Sequence, residues 1–103
     1  MAPGRVRGWR LTPAARADLG AIWDFTASRW SPDRADAYLL GLDATLGLLC
    51  EHPEMGRERA EIAPPVRLHP YRAHVILYRI EGDHLAVLRV AHGRRNWRAL
   101  LED

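Results

Sequence analysis

The sequence contains no lysine, so all 15 of its basic residues are arginine. Without an ε-ammonium, Schiff-base chemistry, a phosphate-loop lysine and a lysine general base are excluded. A GC-rich coding sequence produces the same bias, so the absence by itself points to no function. Cysteine is nearly missing as well. The single Cys50 cannot close an internal disulfide, and its place in the apolar run Leu48-Leu49-Cys50 reads as a small buried hydrophobe rather than a nucleophile. No stretch approaches the roughly 18 apolar residues needed to cross a bilayer, and the first residues lead into no apolar signal core. These absences predict a soluble, cytoplasmic chain that makes no membrane contact.

What remains is an ordinary globular composition. Of 103 residues, 48% are hydrophobic and 27% charged, enough for one small domain spanning 1–103 and one core. Residues 1–5 are expected to lie outside the ordered part.

Two places pair a hydroxyl with proline in the way that starts helices: Thr12-Pro13 and Ser31-Pro32. After the first, Ala15, Leu19, Ile22, Trp23, Thr26 and Trp30 recur at three- and four-residue intervals. After the second, Ala35, Tyr38, Leu39, Leu42, Leu46 and Leu49 do the same, until His52-Pro53 stops the run. The spacing predicts two amphipathic helices joined by a tight turn, an antiparallel hairpin. Gly41 and Gly47 weaken the second helix by about 1 kcal/mol each unless something packs closely there.

A short strand around Val6–Leu11 precedes the helices, and residues 53–65 read as a loop. The period then shortens to two. Val66–His69, Ala73–Ile80 and Leu85–Ala91 are candidate strands, the last two joined by the Glu81-Gly82-Asp83 hairpin loop. Residues 93–103 form a tail or short helix that docks Trp97, Leu100 and Leu101. The expected fold is α+β: an N-terminal strand, an α-helical hairpin and a three-strand antiparallel meander, with the helices packed on one face of one sheet.

Charge is unevenly distributed. Residues 1–56 hold six Arg and seven acids, a net −1, whereas residues 57–98 hold nine Arg and four acids, a net +5. Glu102 and Asp103 bring the total to +2. A basic sheet and tail suit an acidic partner, either a protein segment or a nucleic acid. Arginines projecting from the solvent face of a sheet would give the same count.

No residue pattern marks a metal or cofactor site. The five histidines (52, 69, 74, 84 and 92) have no ligand-pair spacing, and there is no glycine-rich phosphate loop or nucleophile elbow. The one set with chemical potential is Arg67, Arg72, Arg79, Arg89 and His92 with Tyr71 and Tyr78. If Arg67, Arg72 and His92 converged, they could cleave RNA without a metal, through the 2′-hydroxyl. The same residues equally suit structure, with Arg79 and Arg89 paired to acids, the Tyr78 hydroxyl capped and His92 closing a strand.

The residues as a whole resemble the ParE branch of the RelE/ParE toxin superfamily, from about Trp9 to Trp97. The resemblance runs through Leu11, Ala15, Asp18-Leu19-x-x-Ile22, Trp30, Ala37-Tyr38, the Leu42, Leu46, Leu49 stripe and His52-Pro53-x-x-Gly56. Its most distinctive part is Tyr71-Arg72, Ile76-x-Tyr78-Arg79 and Leu88-Arg89-Val90-x-His92-Gly93-Arg94-Arg95. Ser31, where glycine is commoner, and Pro64-Pro65, ahead of Arg67, depart from the pattern and bear on loop geometry.

The resemblance implies a toxin without cofactors that forms a hetero-oligomer with a ParD-like antitoxin. The antitoxin would supply any contact with operator DNA. It further implies that DNA gyrase is the target, bound rather than chemically altered. On that reading Arg89, His92, Arg94, Arg95 and Trp97 are expected to bind the target. Exposed parts of the helices around Ile22, Leu39 and Leu42, with Arg67 and Arg79 receiving acids, are expected to bind the antitoxin. The runner-up is an mRNA endoribonuclease, which the missing lysine disfavours. A third reading is a detoxified partner active only in binding antitoxin and operator DNA.

Overall fold

A computed structural model describes residues 4–101, so most of the 1–5 segment and the two terminal acids lie outside the described residues. β1 (Gly8–Leu11) leads into α1 (Pro13–Arg29) and α2 (Pro32–Glu51). Then follow β2 (Arg57–Arg59), β3 (Val66–Tyr71), β4 (His74–Glu81) and β5 (His84–His92), and a 3-10 turn at Trp97–Leu101 closes the described chain.

Both helix starts form as the hydroxyl-proline pairs require. The Thr12 hydroxyl accepts from the Ala15 N–H at 3.0 Å and the Ser31 hydroxyl from the Arg34 N–H at 3.1 Å. Of the apolar positions, Ala15, Ile22, Ala35, Leu42, Leu46 and Leu49 are buried, together with Cys50. All but Ala35 meet Ile76, Tyr78, Leu85, Val87 and Val90 of the sheet in one core.

The sheet has five strands in the order β1-β5-β4-β3-β2. The meander is present as expected, but the sheet is wider by two edges. β1 pairs parallel with β5, Gly8 opposite His84 through Leu11 opposite Val87. Arg57–Arg59, expected as loop, pairs antiparallel with β3. Its Arg-Glu-Arg sequence has no apolar alternation because an edge strand of three residues can leave two of them exposed.

The β4–β5 pairing carries one irregularity. Leu77 pairs with Arg89 but Tyr78 pairs with Val87, so Leu88 is an extra residue, a bulge in β5. Thr12 accommodates it: its hydroxyl donates to the Leu88 carbonyl at 2.7 Å while still capping α1.

The buried Tyr78 hydroxyl is capped on both sides. It donates to the Pro53 carbonyl at 2.8 Å and accepts from the Gly56 N–H at 2.9 Å, and burial raises its pKa above the ordinary value. The two helix glycines differ. A Cβ at Gly41 would collide with the Tyr71 hydroxyl, whereas at Gly47 it would meet open space. The close approach expected from the sequence therefore holds at Gly41 alone.

Candidate functional site

The C-terminal end of α1 and the N-terminal end of α2 overhang the sheet where β5 ends and β3 turns into β4. The space between them is a groove of about 800 Å³. One wall is aromatic, with Phe25 67% and Trp30 58% exposed. Single exposed hydrophobics are common on proteins, but two aromatics on one groove wall make it a candidate contact surface.

Cations surround the aromatic wall. The Arg34 guanidinium lies 4.5 Å and the Arg29 guanidinium 5.6 Å from the Trp30 ring centroid. Arg34, Arg72 and Arg95 line the groove, and among the described residues none of the three has a carboxylate within ion-pair distance.

Arg72 reaches this position at a conformational cost. The β3–β4 hairpin has a two-residue loop, Arg72-Ala73, and Arg72 takes the left-handed φ of 52°. The β4–β5 loop has the same length, and there the residue with φ 60° is Gly82. Glycine adopts this conformation freely, while an L side chain costs about 1–2 kcal/mol. Arg72 thus carries backbone strain and a charge at the mouth of the groove.

Tyr38, His74 and His92 of the lining belong to a ladder of rings that Tyr71 extends beyond the groove. The Tyr71 hydroxyl donates to the Tyr38 carbonyl at 2.8 Å, and the Tyr38 hydroxyl and His74 Nδ1 share a hydrogen bond of 2.7 Å. The His74 ring then meets His92 edge to face, with centroids 5.7 Å apart. Burial, helped by His92, holds His74 below the usual histidine pKa, so at neutral pH the ring is uncharged. Burial and the neighbouring Tyr71 raise the pKa of Tyr38.

Asp18 closes the inner end of the groove. Its carboxylate accepts from Arg89 Nε and Nη2, both at 2.8 Å, and from the Val90 N–H at 2.9 Å. The bulge at Leu88 sets the register in which Arg89 and Val90 share that one carboxylate.

The five residues expected to meet a target divide accordingly. His92, Arg94 and Arg95 are exposed, and His92 Nδ1 accepts the Arg94 N–H at 3.2 Å. Arg89 is tied to Asp18 with its side chain 20% exposed. Trp97 is half-buried, with the Arg59 and Arg98 guanidiniums 5.4 and 5.3 Å from its ring.

Of the expected antitoxin contacts, Ile22 is 9% exposed and lines the groove, whereas Leu42, 2% exposed, and half-buried Leu39 pack in the core away from it. Arg67 already donates to the Glu54 and Gly56 carbonyls and pairs with Glu58 at 2.9 Å. Arg79 lies 3.8 Å from Glu81. The expected nuclease trio is also split. Arg72 and His92 line the groove, but Arg67 stands five residues back along β3 from Arg72, about 16 Å at strand rise, beside a second, smaller cleft.

Phe25, Trp30, Arg34 and His74 carry the groove and were absent from the expected sites. Phe25 had a sequence signal, as a large aromatic off the apolar stripe of α1. No group of three or more His, Cys, Asp or Glu among the described residues is placed to hold a metal. Nor is any described helix long and apolar enough to cross a membrane.

A profile of the family described as "ParE toxin of type II toxin-antitoxin system, parDE" matches residues 9–97. The chain belongs to the ParE toxin family. Relatives include Toxin ParE1 of Caulobacter vibrioides, 34% identical over 96 residues, covering 93% of this chain and 99% of that protein. Toxin ParE1 of Mycobacterium tuberculosis is 39% identical over 85 residues, covering 82% of this chain and 87% of that protein. A solved structure titled as a chromosomal ParDE system from P. aeruginosa shares the fold. Its TM-score is 0.72 at 22% identity, over 87% of this chain and 98% of the other. The α+β architecture read from the sequence is thus that of a ParE toxin, and the groove is a feature of this ParE-family chain.

Proposed function

We propose that this chain is the toxin of a cytoplasmic type II pair, that it arrests growth by binding DNA gyrase, and that a ParD-like antitoxin neutralises it. The observation that carries this reading is the groove: an exposed aromatic wall with three arginines unpaired among the described residues. Such a surface suits an amphipathic, acidic peptide segment, apolar side chains on Phe25 and Trp30 and carboxylates on Arg34, Arg72 and Arg95. We therefore assign the antitoxin to the groove, which Ile22 lines, rather than to Leu39 and Leu42.

The target contact falls to His92, Arg94 and Arg95, next to that groove. Arg95 belongs to both surfaces, so an antitoxin seated in the groove covers part of what the target needs. Neutralisation is then steric and requires no distant coupling. Contact with operator DNA comes through the antitoxin, in a hetero-oligomer.

Purified toxin should inhibit supercoiling by gyrase, and added antitoxin should restore it. Full supercoiling activity at toxin in large excess would overturn the gyrase assignment.

The ring ladder favours a second reading. His74 and His92, 5.7 Å apart among arginines, are residue types that could exchange protons during RNA cleavage through the 2′-hydroxyl. Primer extension on cellular mRNA after induction separates the two. Discrete cuts that vanish in His92→Ala or His74→Ala would establish the nuclease, and intact mRNA during growth arrest would eliminate it.

A further inference from the structure

We infer that Glu61 and Arg59, acting through Trp97 and Arg98, form a clasp that positions the Arg94–Arg95 pair for its target. The inference rests on the target reading given above and assigns a role to two residues outside both surfaces.

After β5 the chain is pinned twice. At the near end the Gly93 N–H donates to the Ala73 carbonyl at 2.8 Å and the Arg95 N–H to the His92 carbonyl at 2.9 Å. At the far end Arg98 Nη2 donates to Glu61 Oε2 at 2.5 Å, with Arg59 Nε 3.9 Å from the same carboxylate oxygen. The Arg59 and Arg98 guanidiniums both lie against the Trp97 ring. Between the two anchors Arg94, Arg95 and Asn96 are exposed. The tail is an arch, with two adjacent guanidinium groups at its crown.

Bonds to His92 hold the turn at Arg94 and Arg95, but nothing local holds the segment beyond it. The Trp97–Leu101 turn has five residues, none of them buried, and so short a 3-10 segment does not hold itself in water. Its place is set by contacts 37 residues away in sequence, between Glu61 and Arg98. Those contacts are exposed, with side-chain exposures of 52% for Arg98 and 48% for Glu61. Exposed pairs add little to global stability, so the clasp fixes the tail more than it holds the fold. An arch ordered in advance does not lose that freedom again on binding. Trp97 is then a positioning residue, and Arg94 and Arg95 are the groups presented.

The test compares full-length wild type, Glu61→Gln and the exchanged pair Glu61→Arg with Arg98→Glu, each purified with antitoxin and then separated from it. Tryptic cleavage after Arg94 and Arg95, followed by mass spectrometry, reports the arch without reference to any target. Glu61→Gln should be cut at least fivefold faster and need at least fivefold more protein to inhibit gyrase, and it should arrest growth less. Its melting temperature and antitoxin affinity should stay at wild-type values, and the exchanged pair should recover both cleavage resistance and potency. Unchanged cleavage in Glu61→Gln, faster cleavage with undiminished growth arrest, or stronger arrest than wild type would each overturn the positioning role. If wild type fails to inhibit gyrase while growth arrest still follows the clasp, the gyrase assignment falls and the clasp stands.

Discussion

Replacing Asp18 with alanine removes the acceptor of three hydrogen bonds, two from the Arg89 guanidinium and one from the Val90 N–H. Hydrogen bonds to a charged group contribute about 1.5–3 kcal/mol each, and removing one member of a buried pair costs about 3–5 kcal/mol. The side chains of Asp18 and Arg89 are 13% and 20% exposed, so water partly rehydrates what is left. We therefore expect Asp18→Ala to cost about 3 kcal/mol, the lower part of that range. For a domain of this size that is a fall of roughly 12–24 °C in melting temperature. Asp18→Asn, which keeps one acceptor, should cost less. Urea titrations followed by tryptophan fluorescence give the values. Asp18→Ala combined with Arg89→Met should be less destabilised than the sum of the single changes by about 2 kcal/mol, since both changes remove the same Asp18–Arg89 contact. A loss below about 1 kcal/mol for Asp18→Ala, or simple additivity in the double variant, would refute the pair as a structural tie. It would also return Arg89 to the set of target-contact residues.

Gly41→Ala should destabilise by about 1–3 kcal/mol, because the Tyr71 hydroxyl must leave both its place and the Tyr38 carbonyl, while Gly47→Ala should stabilise by up to about 1 kcal/mol. Thermal melts of the two variants test the contrast, and equal shifts would contradict it. His74 has a lowered pKa in the folded chain, so the unfolded chain takes up its proton first as the solution is acidified. Its contribution to stability is full above about pH 6.5 and falls as pH drops from there toward the lowered folded value. In His74→Phe the stability loss between pH 7 and 5 should be smaller than in wild type, and an unchanged pH profile would contradict the assignment.

The parts legible in the sequence are those where local chemistry decides. Thr12-Pro13 and Ser31-Pro32 fix two helix starts, the 3.6 spacing picks out Ala15, Ile22, Leu42, Leu46 and Leu49, and the shift to a period of two announces the meander. β2 was not legible because Arg-Glu-Arg is held by pairing to β3 rather than by its own propensity. The groove was not legible because it joins the ends of α1 and α2 to the β3–β4 turn and the last residues of β5, four places that only the tertiary fold brings together. The stripe through Leu39 and Leu42 lies away from the groove for the same reason. Periodicity identifies an apolar face but not whether the chain's own sheet already covers it. Arg72 had a local hint, since a two-residue hairpin loop needs a left-handed residue and neither Arg nor Ala supplies one cheaply.

The same residue gives the most direct test of the central claim, that the groove takes an acidic protein segment. Arg72→Gly relieves the left-handed φ and removes one of the unpaired guanidiniums in a single change. Calorimetric titration with the antitoxin, alongside a thermal melt, should find a variant more stable by about 1 kcal/mol that binds about tenfold or more weakly. A stabilised variant with wild-type antitoxin affinity would contradict the claim.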